Sequence, residues 1–415
     1  MRKFVADRRV ADWVASALGG VVLVVAVRLL ATVDRVDALV RSGEGGAAQA
    51  APWLAAWAPG PPTSADPAAA LGILGHPGAG WVSTRGLLLG VLFVLGCRLA
   101  LRYLPPTPRH AAWAAVACWA AVAPAAVLST VAVVVMAAPS GADLRFVVVI
   151  DSYDALALPI ALAAPVAVLV IGVALSARTL AGRAAPGRSA VHEGRGTAQG
   201  AGPHPGLLPG WPVSVRARRG AVGAATGTLV LAAGVGGAAE AEPPWLFSIP
   251  SDSWMVLGRF LVPARWSIGL LAPDDPGVVN RLAGIVGAVL YVLLFALLFR
   301  LVLPRITERT PQALAVTGAW VSVAAGSVAQ AVGALALYGT FPHHSTSDGW
   351  SLAVWCFRPV TAFSAGLTVW GAVAGCAAWG VLRCAKDRSG ATAPDDADRG
   401  QDDGPEDDEL VLTGR

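Results

Sequence analysis

The chain has 415 residues, 55% of them hydrophobic and only 14% charged, with a mean hydropathy of +0.60. Soluble domains carry about 25% charged residues, and here the apolar residues fall into long charge-free runs, so one soluble core is excluded. The net charge of +4 does not point to nucleic acid either, because no basic patch interleaved with aromatics sits on a soluble domain.

A span needs about 20 mostly apolar residues to cross a hydrocarbon core of about 30 Å. Reading between charges predicts an all-α, polytopic helical membrane protein with about eight transmembrane helices. They cover 11–32, 86–104, 111–138, 155–177, 220–239, 282–303, 312–340 and 358–382. The first follows a basic start, as a signal peptide would. Its long apolar run without a small-x-small cleavage site reads instead as a retained anchor. The second is interrupted by Arg98 and Arg102, near an end where long side chains snorkel to headgroups. Residues 183–219, rich in Gly, Pro and Arg, read as a disordered cytoplasmic linker. From Lys386 to Arg415 ten Asp/Glu oppose four Lys/Arg, the pattern of a solvated, disordered tail. The layout is therefore a first half over 1–182, the linker, a second half over 220–385, and the tail over 386–415.

Charge orients the spans. Arg2, Lys3, Arg8 and Arg9 precede the first, Arg102 and Arg109 follow the second, seven Arg from Arg178 to Arg219 follow the fourth, and Arg300, Arg305 and Arg309 follow the sixth. The alternate connections are acidic, from Asp34, Asp37, Glu44 and Asp66 in the first to Asp348 in the last. This alternation places both termini in the cytoplasm of a bacterial plasma membrane. Trp53, Trp57, Trp81, Trp245, Trp254, Trp266 and Trp350 then fall in outer connections and Trp13, Trp113 and Trp379 near inner ends, as interfacial belts require.

Spacing repeats at about 200 residues, which predicts a 4+4 parallel internal repeat with its axis along the membrane normal. Arg98-Leu99-Ala100-Leu101 before Thr107-Pro108 corresponds to Arg300-Leu301-Val302-Leu303 before Thr310-Pro311. Trp119 corresponds to Trp320, and Pro159 to Pro359.

Candidate functional groups are few. The middles of the spans lack Asp, Glu, Lys and His, so the usual marker of a transport path is missing. Polar intramembrane contacts fall to Ser129, Thr130, Ser322, Ser327 and Gln330, whose hydroxyls and amide must find partners between helices or meet a substrate. Gly223/Gly227 and Gly371/Gly375 allow close helix approach. At the outer face Arg28, Asp151, Asp154 and Arg358 form a candidate charge cluster. A metal site drawn from those carboxylates with His76, His343, His344 and Asp348 matches no ligand spacing, and the loops' solvated polarity is the simpler reading. Cys97, Cys118, Cys356, Cys376 and Cys384 lack CxxC spacing and read as small buried hydrophobes. No P-loop, GxSxG, HExxH or Rossmann fingerprint is present, so no catalytic, cofactor-binding or metal residue is assigned. Asp34 and Asp37, just after the first span, stand where membrane glycosyltransferases using lipid-linked sugars carry a catalytic carboxylate.

The Ala/Gly/Val-rich spans, Arg-dominated inner connections and outer segments such as Pro243-Pro244-Trp245-Leu246-Phe247-Ser248-Ile249-Pro250 and Phe260-Leu261-Val262-Pro263 resemble the "streptophobe" membrane proteins of Streptomyces and relatives. The resemblance implies an actinobacterial plasma membrane and no particular activity. The expected function is a non-catalytic multi-pass protein, an envelope scaffold or accessory subunit whose partners are the bilayer and other membrane proteins. A permease for an apolar or lipid-like substrate is the alternative, and a lipid-linked-sugar glycosyltransferase the third reading.

Overall fold

A backbone surrounded by hydrocarbon must bond its own polar groups, so long apolar runs become helices. The computed structural model describes residues 2–41, 53–58, 79–108, 110–137, 144–183, 214–240, 278–338 and 349–390, and every regular element among them is helical. In chain order these are α1 (Arg2–Leu30), α2 (Val33–Arg41), α3 (Ala79–Tyr103), α4 (Ala111–Ala120), α5 (Val122–Ala137), α6 (Leu144–Arg183), α7 (Val215–Glu240), α8 (Val278–Val302), α9 (Pro311–Tyr338) and α10 (Gly349–Gly390). A 3-10 turn, Leu303–Arg305, follows α8.

Seven stretches among the described residues are long and apolar enough to cross a membrane: Arg9–Leu30, Thr84–Tyr103, Ala111–Val133, Leu156–Leu180, Ile285–Arg305, Pro311–Gly333 and Ser364–Ala385. The eighth expected span, 220–239, lies within helix α7 but is not one of the seven. Arg216, Arg218 and Arg219 crowd its head, and Gly and Thr dilute its body. The linker begins and ends in helix, since α6 reaches Arg183 and α7 starts at Val215. Most of the tail lies outside the described residues.

The third expected span is two consecutive helices, α4 and α5. The helix breaks at Ala121 because Pro124 has no N–H to offer the Ala120 carbonyl and its ring crowds that oxygen.

Outward faces are as apolar as inward ones, which suits a hydrocarbon surround. Helix α8 buries Tyr291, Phe295, Phe299 and Val302 on one side and exposes Val286, Val289, Leu293 and Leu297 on the other. Phe295 and Phe299 stack with ring centroids 5.4 Å apart. In α1, Leu23 and Val27 face inward while Val14, Val21 and Val25 face out.

Packing sorts the helices into two groups, α1 with α3 to α6 and α7 with α8 to α10. Across the groups, α9 meets α4, and α10 meets α5 and α6. The closest pair is α9 with α10. A Cβ on Gly318 would strike the Gly371 carbonyl, and one on Gly375 the Leu314 carbonyl. So Gly371/Gly375 does permit close approach, as its spacing predicts. Gly223/Gly227 does not: both glycines face open space on α7.

Two other expectations need correction. Trp57 is not an interfacial belt residue but wholly buried, with the Arg85 guanidinium 5.8 Å from its ring centroid. Cys97 and Cys118 are buried, but Cys376 and Cys384 are exposed on α10, where a weakly polar thiol tolerates an apolar surround.

Candidate functional site

Three charged side chains meet at the basic end of the first helix group. Asp12 sits one turn into the apolar part of α1, and its side chain is only 7% exposed. Arg178 of α6 holds it from two nitrogens: Nη2 donates to Oδ1 at 2.7 Å and to Oδ2 at 2.9 Å, and Nε donates to Oδ1 at 3.2 Å. Arg98 of α3 donates to Oδ2 at 3.3 Å. Arg178 Nη1 also reaches the Pro106 carbonyl at 3.3 Å. One carboxylate thus ties α1, α3, α6 and the connection after α3 together.

Arg98 is therefore not a snorkelling side chain. A buried carboxylate within reach holds its charge inside, because pairing offsets part of the cost of leaving water. Arg102, one turn on, does extend outward, and there it finds Glu308. Nε donates to Oε1 at 3.1 Å and Nη2 to Oε2 at 3.0 Å. The Thr307 N–H donates to the Tyr103 carbonyl at 3.1 Å, and the Thr307 hydroxyl to the Arg102 carbonyl at 3.0 Å. The connections 104–110 and 303–310 thereby clasp one group to the other. Burial, and then the like charge of Arg218 on α7, push the Arg309 guanidinium below its usual value.

Each of the three Trp residues assigned to inner ends carries a guanidinium on its ring. The distances to the ring centroid are 5.5 Å for Arg98 on Trp13, 5.3 Å for Arg305 on Trp113 and 5.3 Å for Arg383 on Trp379. Such pairs gain most where water is scarce.

The predicted polar contacts are not gathered into one site. Ser129 and Thr130 are buried on α5, and the Ser129 hydroxyl donates back to the Ala126 carbonyl at 2.9 Å. Ser322, on α9, lies 2.7 Å from the buried Tyr291 hydroxyl of α8. Thr130 and Ser327 are buried with no hydrogen-bond partner among the described residues. Gln330 is half-buried on α9. Helix α9 meets the first group through α4, ahead of the Pro124 break, rather than through the helix that carries Ser129 and Thr130.

What the group boundary does hold is a groove with Trp113 and Val116 of α4 on one side and Val302 of α8 with Thr317 and Trp320 of α9 on the other. Its enclosed space is about 20 Å³, room for about one water. Thr317 is a further buried hydroxyl without a hydrogen-bond partner among the described residues.

The outer-face cluster is described only in part. Arg28 is half-buried beside Gly86 of α3. Asp151 and Asp154 fall in α6 and Arg358 in α10, but their side chains lie outside the described residues, as do His76, His343, His344 and Asp348. Asp34 is exposed on α2, and the Asp37 side chain is not described. No group of His, Cys, Asp and Glu suited to a metal occurs among the described residues.

Asp12 was not singled out from the sequence, because it stands at the edge of the first apolar run and reads as flanking charge. Nothing else in the sequence separates it from Asp7, a few residues before it. The chain matches no known protein family, no curated protein and no solved structure.

Proposed function

We propose that this is a non-catalytic multi-pass protein of the bacterial plasma membrane, acting as an envelope scaffold or accessory subunit. The observation that carries this reading is how Asp12 is used. It is the one buried carboxylate among the described residues, and both its oxygens are taken up by Arg178 and Arg98 in joining helices. Intramembrane carboxylates that mark an ion or proton path face a passage instead. The glycine seam between α9 and α10 and the Tyr291–Ser322 contact favour the same reading, since polar and small residues there serve packing.

In this proposal α7 is the eighth span, the two helix groups are a 4+4 parallel repeat, and both termini are cytoplasmic. The actinobacterial origin that the streptophobe resemblance implies fits the same proposal. The permease reading draws on the groove between the groups, but the groove is small and its lining is not Ser129, Thr130, Ser327 and Gln330. The glycosyltransferase reading retains Asp34 on α2, at an exposed position.

The test is native mass spectrometry of the protein released from its own membrane in mild detergent, paired with reconstitution into liposomes. A stoichiometric protein partner is the expected result. A partner-free protein that carries an apolar solute across liposomes would overturn the proposal.

A further inference from the structure

The head of α7 and the end of α10 lie side by side, since a Cβ on Gly220 would come within 3.3 Å of Val381 Cγ1. Arg216 stands one turn before Gly220 on the same face of α7, and it is exposed, as is Arg219. Arg218 is half-buried, close enough to Arg309 in the connection between α8 and α9 for its charge to press on that guanidinium. Four arginines from two segments thus form one basic face at this end of the bundle.

The bundle does little to offset that charge. Helix α7 has no acidic residue in its first turn. Arg216, Arg218 and Arg219 make no ion pair among the described residues, and the carboxylates described at this end, Asp12 and Glu308, are held by Arg178 and Arg102. A single-signed face of this kind attracts an anion from outside the bundle.

The chain itself carries one within reach. Helix α10 runs nine residues past Val381, about 14 Å, before it ends at Gly390. Asp395 comes five residues later, a reach of up to about 17 Å, enough to return to the head of α7. Residues 395–409 hold nine carboxylates against one cation, Arg399. Tethered this closely, they meet the arginines at an effective concentration on the order of millimolar, which a separate acidic partner would have to match. Lipid headgroups such as phosphatidylglycerol bring one charge each, whereas Glu406-Asp407-Asp408-Glu409 brings four together.

We propose that the acidic segment 395–409 docks on the face formed by Arg216, Arg218, Arg219 and Arg309 of its own chain, and so pins the end of α10 to the head of α7. The proposal does not depend on the scaffold reading, nor on which side of the membrane this end lies.

The experiment uses the full chain, isotope-labelled, in phosphatidylcholine nanodiscs that hold one copy, and reads the amide NMR signals of residues 391–415. At 0.1 M salt the signals of 395–409 should be shifted or lost through broadening. At 1 M salt, where the screening length falls from about 10 Å to about 3 Å, they should return sharp. Arg216→Gln, Arg218→Gln and Arg219→Gln together should restore them at 0.1 M salt, and the three Lys replacements should not. Sharp signals at 0.1 M salt, unchanged by the Gln replacements, would overturn the proposal. So would full release of the segment by phosphatidylglycerol as a minor component of the disc, or docking seen only in discs that hold two copies. If the triple Gln chain does not fold, Glu406→Gln with Asp407→Asn, Asp408→Asn and Glu409→Gln leaves the bundle untouched and should free the rest of the segment at 0.1 M salt; signals that stay broad there would equally sink the idea.

Discussion

Arg178 grips Asp12 through two of its nitrogens across 166 residues of sequence, and Arg98 supplies a third nitrogen from 86 residues away. The Asp12 side chain is 7% exposed and those of Arg98 and Arg178 16% and 18%, so removing the carboxylate strands two guanidinium groups in a largely dry place. Asp12→Ala should cost roughly 3–5 kcal/mol, the range for breaking a buried pair from one side. The check is thermal unfolding in detergent. Asp12→Ala with Arg178→Ala should cost less than the sum of the two, and strict additivity would count against the lock.

The Arg102–Glu308 pair has better fork geometry but a wetter setting, with side-chain exposures of 55% and 34%. Exposure decides here. Glu308→Gln should cost no more than about 1 kcal/mol, and the cost should shrink at high salt. An effect as large as that of Asp12→Ala would mean that the clasp is drier than its exposure indicates.

Gly375→Ala should destabilise by about 1–3 kcal/mol, because a methyl group there must push back the Leu314 carbonyl of α9. Gly223→Ala on α7 meets nothing within 4 Å and should be neutral or slightly stabilising through helix propensity. Comparing the two midpoints separates a packed seam from a glycine-rich helix in general.

Tyr291→Phe removes the partner of Ser322 at a site that water does not reach. The expected loss is about 1–3 kcal/mol, the cost of leaving a buried hydroxyl unpaired. Adding Ser322→Ala should recover part of it. No recovery would mean that the Tyr291 hydroxyl acts through its size alone.

If α7 is the eighth span, a reporter fused after Arg415 sits on the same side as one fused at the N-terminus. Paired fusions, one active only inside the cell and one only outside, read this directly. Opposite sides would leave seven spans and remove the 4+4 arrangement.

Much of the fold was legible because the membrane imposes a one-dimensional rule. Length and hydropathy of each run nearly suffice to make a helix, so the ends of α8 and α9 fall within a few residues of their predicted limits, as does the C-terminal end of α3, although α3 begins earlier, at Ala79. The rule blurred where composition is intermediate, as in α7, and where Pro124 divides a run that hydropathy reads as continuous. The candidate site was less legible. Ser129, Thr130, Ser322, Ser327 and Gln330 all fall on two of the apolar stretches, Ala111–Val133 and Pro311–Gly333, but nothing in their spacing says which helices meet.

The sequence by itself determined that the chain is helical, where its apolar segments lie, and which connections are basic, because these depend on local composition alone. Only the tertiary structure decided that Asp12 belongs to Arg178 and Arg98, that Arg102 belongs to Glu308, and that the Gly371/Gly375 spacing closes a seam while Gly223/Gly227 does not. A charge or a small side chain acquires its role from what lies within a few ångströms, and here those neighbours come from segments as far as 206 residues away.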